Sequence, residues 1–497
     1  MEGRLVISKG ARVMALILVI YTSFFLWLGI RRHEACRTQS GDTLILDCAY
    51  YSTLRGEAFW NFGYNNSYFE SHPEPLLYLF VPVYFIFPTV KTLIAIQCLC
   101  IAVAGIPVYL IGRRMLDHEA GGVLMALAFL LFPSIVSQHV GQVHTPLFAL
   151  PFLMFAYYFF TEERFVPFVV MAIIASFGKE MAPATIFMFA PYAMCKRRGR
   201  RWVIASLIIP AAALFISLGL IRPHFSHGES YMGLSYFPGF GNSLPELARN
   251  LILRPDLVMQ RVFTIENTFY LALLLVPVGA FLPFLAPEVI FALPELSLNL
   301  LSVSSGMKTI RYMYNVNVGA FLIVAVVYGI TKMQRLLNDR LGAGRYGVIL
   351  AGCVAMLSLS NWWQWFSPQE FIYDYAYESR HRAFKLVPDD DSLVAGPGQV
   401  LAHLTHRKLL ADCKMIAANP DQMFFYNWVF FDMNHQTPIL GEYVPREQLM
   451  AYGTNLNYQL VFAQDNIFVF HRKEPIPPSQ ITPIRYTSDE PLLRKLH

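Results

Sequence analysis

Over the first 362 residues, apolar runs of membrane-crossing length alternate with short basic or polar breaks. Met14–Ile30 is the first such run, preceded by Arg4, Lys9 and Arg12. No small-residue cleavage site follows it, so the pattern predicts a retained helix rather than a cleaved signal peptide. Basic clusters recur at Arg113-Arg114, over Lys196–Arg201, and at Lys332, Arg335, Arg340 and Arg345. The positive-inside tendency puts all of them, with the N-terminus, on the cytoplasmic side. Parity then orders the runs. Residues 31–88 form a first outer loop with interfacial segments, in which the proline-rich Pro75–Pro88 run is too short to cross and is expected at the interface or as a re-entrant segment. Thr89–Ile111 enters, Gly121–Val136 exits and Pro146–Phe160 enters. Phe165–Cys195 is a two-helix hairpin with Gly178-Lys179-Glu180 at its outer apex. Trp202–Leu220 leads to a second outer loop over residues 222–268. Tyr270–Leu285, Val289–Leu301, Tyr314–Ile330 and Gly347–Leu359 complete about eleven spans.

Beyond Trp362 the pattern changes to short alternating runs. The tail reads as α/β: Ser392–Ala395 and Lys408–Ala411 are short apolar runs, Trp428–Asp432 alternates, Gln399–His406 and Arg446–Tyr452 read as helical, and Tyr458–Phe462 with Ile467–His471 as a hairpin around Gln464-Asp465-Asn466. Charge marks the same boundary: residues 363–497 carry 12 Lys/Arg and 15 Asp/Glu, whereas the first 362 have a net charge of +8. The predicted organisation is a transmembrane domain over 1–362 and an extracytoplasmic α/β domain over 363–497.

Composition narrows the class. The chain is 55% hydrophobic and only 15% charged, against roughly 25% charged in soluble domains, so it cannot cover a water-facing surface of its size. A net charge of +5 is too small and too dispersed to indicate nucleic-acid binding. No phosphate loop, dinucleotide fingerprint or HExxH zinc motif is present, which argues against a cytoplasmic nucleotide-using enzyme. Ionisable groups on an apolar background are where function concentrates, and here they fall on the outer side: Asp42, Asp47, Glu57, Glu70, His72 and Glu74, then His139 and His144, Lys179-Glu180 and Arg311. An outward-facing enzyme has no access to sugar nucleotides and would draw on a lipid-linked donor. A polyprenyl-phosphate-sugar transferase needs an outer-loop carboxylate to deprotonate the acceptor hydroxyl, with cationic or histidine groups to neutralise the leaving phosphate.

The residues that carry a resemblance are Leu46-Asp47-Cys48-Ala49-Tyr50 with Leu54-Arg55-Gly56, His72-Pro73-Glu74-Pro75-Leu76-Leu77-Tyr78, and Phe132-Pro133. To these add His144 with Pro151, Gly178-Lys179-Glu180, Leu285-Ala286-Pro287-Glu288, Asn299-Leu300-Leu301-Ser302 and Tyr312–Tyr314. The tail contributes Val387-Pro388-Asp389-Asp390, Leu401–Arg407 and Tyr458–Arg472. In order and over most of the chain they resemble a bacterial membrane family, domain of unknown function 2079. That family looks related to the GT-C superfamily of multi-span glycosyltransferases. The resemblance implies a polytopic α-helical, GT-C-like fold in the bacterial plasma membrane, with a polyprenyl-phosphate-sugar donor and a cell-envelope glycan, lipid or protein acceptor. It makes Asp47 the candidate base and His72 a further catalytic candidate, with His144, Lys179, Glu180 and Tyr312 as substrate-binding candidates; from their own positions on the outer side, Glu57 is an alternate base and Arg311 a second phosphate-binding candidate. Three positions depart from the family pattern: a glutamine gives way to Thr53, an acidic residue to Pro146 and a histidine to Met313. No metal ligands are assigned. Asp42 lies five residues before Asp47 and forms no chelating pair with it, although some related transferases use a divalent metal.

Several features have a plainer reading. Phe59–Tyr64 with Tyr68 and Phe69 is expected as an aromatic belt or loop core, with stacking on sugars as the alternative, and Trp362, Trp363 and Trp365 as an interfacial belt. His403, His406, Arg407 and Asp412 form a polar cluster expected on the solvated face of the tail, with a second site as the alternative. Of seven cysteines, Cys36 and Cys48 share the first loop and would form a disulfide in an oxidising compartment. Two rival functions remain: a transporter or flippase of a lipid-linked or anionic solute, and a catalytically inactive GT-C-like binding protein.

Overall fold

The structure, a computed structural model, describes residues 8–38, 41–61, 66–226, 232–341, 346–360, 366–390, 392–407, 410–412, 423–434 and 446–475. Trp362, Trp363, Trp365, Phe62–Tyr64, Cys413, Arg345 and the closing prolines from Pro477 onward lie outside the described residues. The chain divides into two compact units. The larger takes Met1–Leu28, Pro73–Leu79 and Ala95–Ser367, and the smaller takes Gly29–His72, Phe80–Ile94 and Pro368–His497. The C-terminal residues therefore share their unit with the first-loop segments instead of folding as a stretch bounded at Trp363, because packing follows apolar faces and not the composition of the chain on either side.

Among the described residues four helices are long and apolar enough to cross a membrane: Lys9–Glu34, Val90–Met115, Arg200–Ser226 and Met313–Leu336. Two bent pairs raise this to six, Glu119–Leu130 with Pro133–Val140 at 54° and Pro255–Val262 with Ile265–Val278 at 62°. Pro133 forces the first bend by opening a new helix after an extended Phe132. Shorter apolar helices cover Pro146–Thr161, Phe165–Ser176, Met181–Cys195 and Tyr346–Ser360. The stretch expected as a single crossing over Tyr270–Leu285 is broken. The Ile265–Leu275 helix gives way to 3-10 turns at Val276–Val278, Leu282–Leu285 and Pro287–Phe291 before the Leu293–Leu301 helix. Pro277, Pro283, Pro287 and Pro294 each lack the amide that a continuous helix would need there.

The larger unit is packed by aromatic rings. Phe189 lies 4.5 Å from Phe291, and Phe160 meets Trp202 edge-on at 5.0 Å, the tilted contacts that ring quadrupoles favour. Small residues set the closest helix approach: a Cβ on Gly122 would come within 2.7 Å of the Tyr109 carbonyl oxygen.

In the smaller unit the Asp42–Leu54 helix precedes a short antiparallel hairpin of β1 (Trp60–Asn61) and β2 (Asn66–Ser67). Phe59 and Phe69 are buried with rings 5.0 Å apart, so these two aromatic residues form the core of the loop. The tail builds a mixed sheet from β3 (Val394–Gly396), β4 (Leu410–Asp412), β5 (Trp428–Asp432), β6 (Tyr458–Gln464) and β7 (Ile467–Arg472), in the order β4-β3-β5-β7-β6. β3 is parallel to β4 and β5, and β5, β7 and β6 are antiparallel neighbours. The expected hairpin is present. Asp465 and Asn466 at its tip have φ of 51° and 59°, the left-handed pair that matches a two-residue turn to the twist of its strands. One hydrophobic core joins Leu44 and Cys48 of the Asp42–Leu54 helix to Val394, Leu401, Phe430 and Val469 of the tail. Beside it Arg380, fully buried, donates to both Asp374 oxygens at 2.8 and 2.7 Å and to Asp432 Oδ2 at 2.5 Å.

Candidate functional site

Helical periodicity turns Leu44, Asp47 and Cys48 of the Asp42–Leu54 helix inward, and all three are buried. Asp47 has no solvent exposure. Its Oδ1 accepts from the Tyr84 hydroxyl at 2.8 Å, and its Oδ2 accepts from the Thr405 hydroxyl. His406 Nε2 stands 3.7 Å from the same Oδ2, its ring stacked 4.4 Å from Tyr51 with the planes 2° apart. At the next position of the same helix, Cys48 Sγ lies 3.3 Å from the Thr405 carbonyl oxygen. Burial pushes the Asp47 carboxyl above the ordinary carboxylate range, while the Thr405 hydroxyl, His406 and Tyr84 pull it back in part. A carboxylate so placed holds a proton more readily than a solvated one, which is what a general base requires.

Asp47 lines a cavity of about 360 Å³ within the smaller unit. Besides Asp47, its walls come from four stretches of chain: His33; Thr89, Val90 and Lys91; Phe384, Lys385, Val387 and Asp389; and Ala402 through Arg407. Arg407 is buried and held by its own backbone surroundings, Nε donating to Leu404 O at 2.8 Å and Nη2 to Pro388 O at 3.1 Å. His403 is stacked between His33 at 4.2 Å and Phe384 at 4.9 Å. Burial, reinforced by the His33 and His381 rings, keeps its imidazole well below the ordinary histidine range and therefore neutral. The tail cluster expected as surface thus divides: His403, His406 and Arg407 face this cavity, because the Leu401–Leu404 segment packs into the core shared with the Asp47 helix.

The remaining candidates of this unit stand apart from the cavity lining. Glu57 is half-buried beyond the end of the helix, its amide bonded to Ser52 O at 3.0 Å. His72 is half-buried against the Tyr68 ring at 5.2 Å. Thr53 has a local task, donating to Ala49 O at 2.7 Å and accepting from Phe59 N at 3.1 Å. The expected Cys36–Cys48 disulfide is absent. Both are free, buried thiols, with Cys36 Sγ 3.4 Å from His403 Nε2 and Cys48 at Thr405. Burial pushes the Cys36 thiol up to about 12, so it stays protonated and unreactive.

In the larger unit hydrogen bonds tie the turns that carry the other candidates. The His144 amide donates to Gln97 Oε1 at 2.7 Å, and Gln97 Nε2 donates to Gln138 O at 3.0 Å. Gln138 Nε2 donates to the Arg311 carbonyl at 3.4 Å, and Ser137 Oγ to the Ile310 carbonyl at 3.1 Å. Lys179 Nζ lies 3.7 Å from Met313 Sδ, the position of the absent family histidine, and 5.8 Å from the Tyr314 ring centre. Glu180 follows at the start of the Met181–Phe187 helix, half-buried, and Tyr312 is half-buried with its amide on Thr309 O at 3.3 Å. Gly178 permits the tight packing of this turn, since a Cβ there would fall 2.7 Å from Ala149 Cβ. Pro146 opens the Pro146–Thr161 helix at its first position. Two groups were missed by sequence reasoning. Glu295, buried and hydrogen-bonded to Asn317, interacts with the Lys179 charge. Thr405 was visible only inside the family-like Leu401–Arg407 motif. Among the described residues no group of three or more His, Cys, Asp or Glu side chains is placed to hold a metal ion.

A family model described as a predicted membrane protein (DUF2079) matches residues 42–469. The structure is similar to the crystal structure of ArnT from Cupriavidus metallidurans bound to undecaprenyl phosphate, with a TM-score of 0.52 at 10% identity over 92% of this chain and 97% of that one. It is equally similar to the apo form of the same protein, at 0.52 and 12% identity over 93% and 98%. At such identity the likeness concerns the fold. No curated protein matches the sequence.

Proposed function

The chain belongs to the DUF2079 family of predicted membrane proteins, and on that footing we propose that it transfers a sugar from a polyprenyl-phosphate-linked donor to an acceptor at the outer face of the bacterial plasma membrane. The observation that carries this reading is Asp47: a buried carboxylate of raised proton affinity in the wall of a cavity that also presents His406 and Arg407. The fold it shares with ArnT, one of whose crystal structures holds undecaprenyl phosphate, supports a lipid-phosphate donor.

In this reading Asp47 takes the proton of the acceptor hydroxyl. The acceptor oxygen then bonds to the anomeric carbon as the bond from that carbon to the phosphate oxygen breaks, and polyprenyl phosphate leaves with the electron pair. A single displacement inverts the anomeric centre. Lys179 and Arg311, with His144, neutralise the departing phosphate, while Glu180 and Tyr312 shape the same part of the site. Glu57 and His72 stand in reserve as first-loop acid–base groups. The basic clusters and the N-terminus lie on the cytoplasmic side of the membrane and the C-terminal residues outside.

The test is the purified chain given radiolabelled polyprenyl-phosphate sugars and an envelope extract as acceptor. Product that disappears in Asp47→Asn is the expected result. Undiminished product in that variant removes Asp47 as the base. Uptake into vesicles without product points instead to a transporter, and neither uptake nor product to a binding protein.

A further inference from the structure

We infer that the acceptor is anionic, and that the cavity beside Asp47 receives its phosphate or carboxylate group against Lys385, Arg407 and His406. This rests on the transferase reading above and specifies its substrate. The cations assigned to the donor phosphate, Lys179 and Arg311, belong to the larger unit; the cations lining this cavity are additional to them and share its wall with the base.

The cavity chemistry favours a charged ligand over a neutral sugar. Neutral sugars are commonly held by side-chain amides and by flat aromatic faces, yet among the described residues the lining contains no Asn, Gln, Trp or Tyr. Its aromatic residue, Phe384, already stacks on His403 at 4.9 Å. Lys385 and Arg407 supply permanent positive charge instead, while the third cation of the lining, Lys91, is ion-paired, its Nζ donating to Glu34 Oε1 at 2.6 Å. Lys91 sits at the start of the apolar Val90–Met115 helix, Lys385 caps the end of the Tyr377–Phe384 helix, and Arg407 follows the Thr405-His406 pair. The carboxylates among the lining residues are Asp47 and Asp389. Arg407 is buried and pinned by two carbonyl oxygens at 2.8 and 3.1 Å, so a guanidinium is held at the wall without the entropy that an exposed lysine loses on binding. A volume of about 360 Å³ falls in the range of small-molecule sites and suits one headgroup. An anion seated there would also raise the proton affinity of Asp47 further, sharpening it as a base.

The test uses the full chain in phosphatidylcholine nanodiscs, with binding followed by calorimetry so that no transfer is needed. Glucose 1-phosphate should bind at least about tenfold more tightly than glucose. Lys385→Glu, an exposed position where folding is not at stake, should abolish that preference. Lys385→Arg should keep it, and Lys473→Glu, an exposed charge outside the cavity lining, should leave it unchanged. A second arm adds phosphatidylglycerol to the nanodiscs. Weakened glucose 1-phosphate binding in the wild type but not in Lys385→Glu identifies a lipid headgroup as the anion; unchanged binding identifies a soluble one. Equal affinity for glucose and its phosphate, or indifference to Lys385→Glu, overturns the inference. Asp47-dependent product on neutral acceptors without anion binding sinks this inference alone. Anion binding without product from any polyprenyl-phosphate sugar sinks the transferase reading alone.

Discussion

Replacing Asp47 by Asn and by Ala separates a catalytic carboxylate from a structural one. Asn keeps the shape and both polar partners. Its Oδ1 accepts from the Tyr84 hydroxyl, now 2.8 Å from Asp47 Oδ1, and its Nδ2 donates to the Thr405 hydroxyl, which can rotate to accept. What is lost is the charge assistance of two hydrogen bonds, about 1 kcal/mol each, and the attraction to His406 across 3.7 Å, about 4 kcal/mol before desolvation when that ring is protonated. What is gained is release from burying an ion, several kcal/mol. The terms nearly cancel, so Asp47→Asn should fold within about 2 kcal/mol of the wild type at pH 8. Asp47→Ala leaves the buried Tyr84 hydroxyl without this acceptor and opens a void, costing about 3 kcal/mol. The pH dependence has a definite sign. Burial raises the folded-state pKa of Asp47, so its stabilising contribution is complete below the ordinary carboxyl pKa and fades as pH rises through the folded value. Acidification should therefore favour the wild type over Asp47→Asn. Thermal unfolding in detergent from pH 4 to 8.5, followed by tryptophan fluorescence, reads all three proteins. If Asn is as damaging as Ala at pH 8, Asp47 is a structural anchor and the catalytic argument collapses.

Arg380→Ala strands the Asp374 and Asp432 carboxylates, the latter with 2% side-chain exposure, and should cost about 3–5 kcal/mol; amide exchange of β5 should accelerate correspondingly, and unchanged protection there would contradict the buried-triad account. Cys36 and Cys48, buried free thiols facing different partners, should react with maleimide only after unfolding, and the melting temperature should not respond to dithiothreitol. A reductant-sensitive melting curve would show that a disulfide forms after all.

The apolar runs were legible because crossing a bilayer imposes a length on each of them, and the Asp465-Asn466 hairpin because its turn chemistry is local. Asp47 was legible through a motif. The breaks after Leu275 were signalled by proline spacing but masked by high average hydropathy. The partnership of Asp47 with the tail was not legible. Thr405 and His406 are more than three hundred residues away, and the change in charge near Trp363 describes composition on either side, not which segments share a core. A His-Leu-Thr-His-Arg string in a polar tail has the same appearance whether it faces water or a cavity, and only the packing of Leu44 and Cys48 against the tail sheet decides it.

Thr405 closes its bond to Asp47 across 358 positions of sequence, which gives the protein a clock. Translation at roughly 5–20 residues per second leaves the acid made and waiting for some 20–70 s before its partner exists. During that interval a nascent chain can insert its apolar helices but cannot assemble the cavity. A chain truncated before Thr405 would occupy membrane without assembling this cavity, so the cavity depends on a segment made long after the acid it encloses.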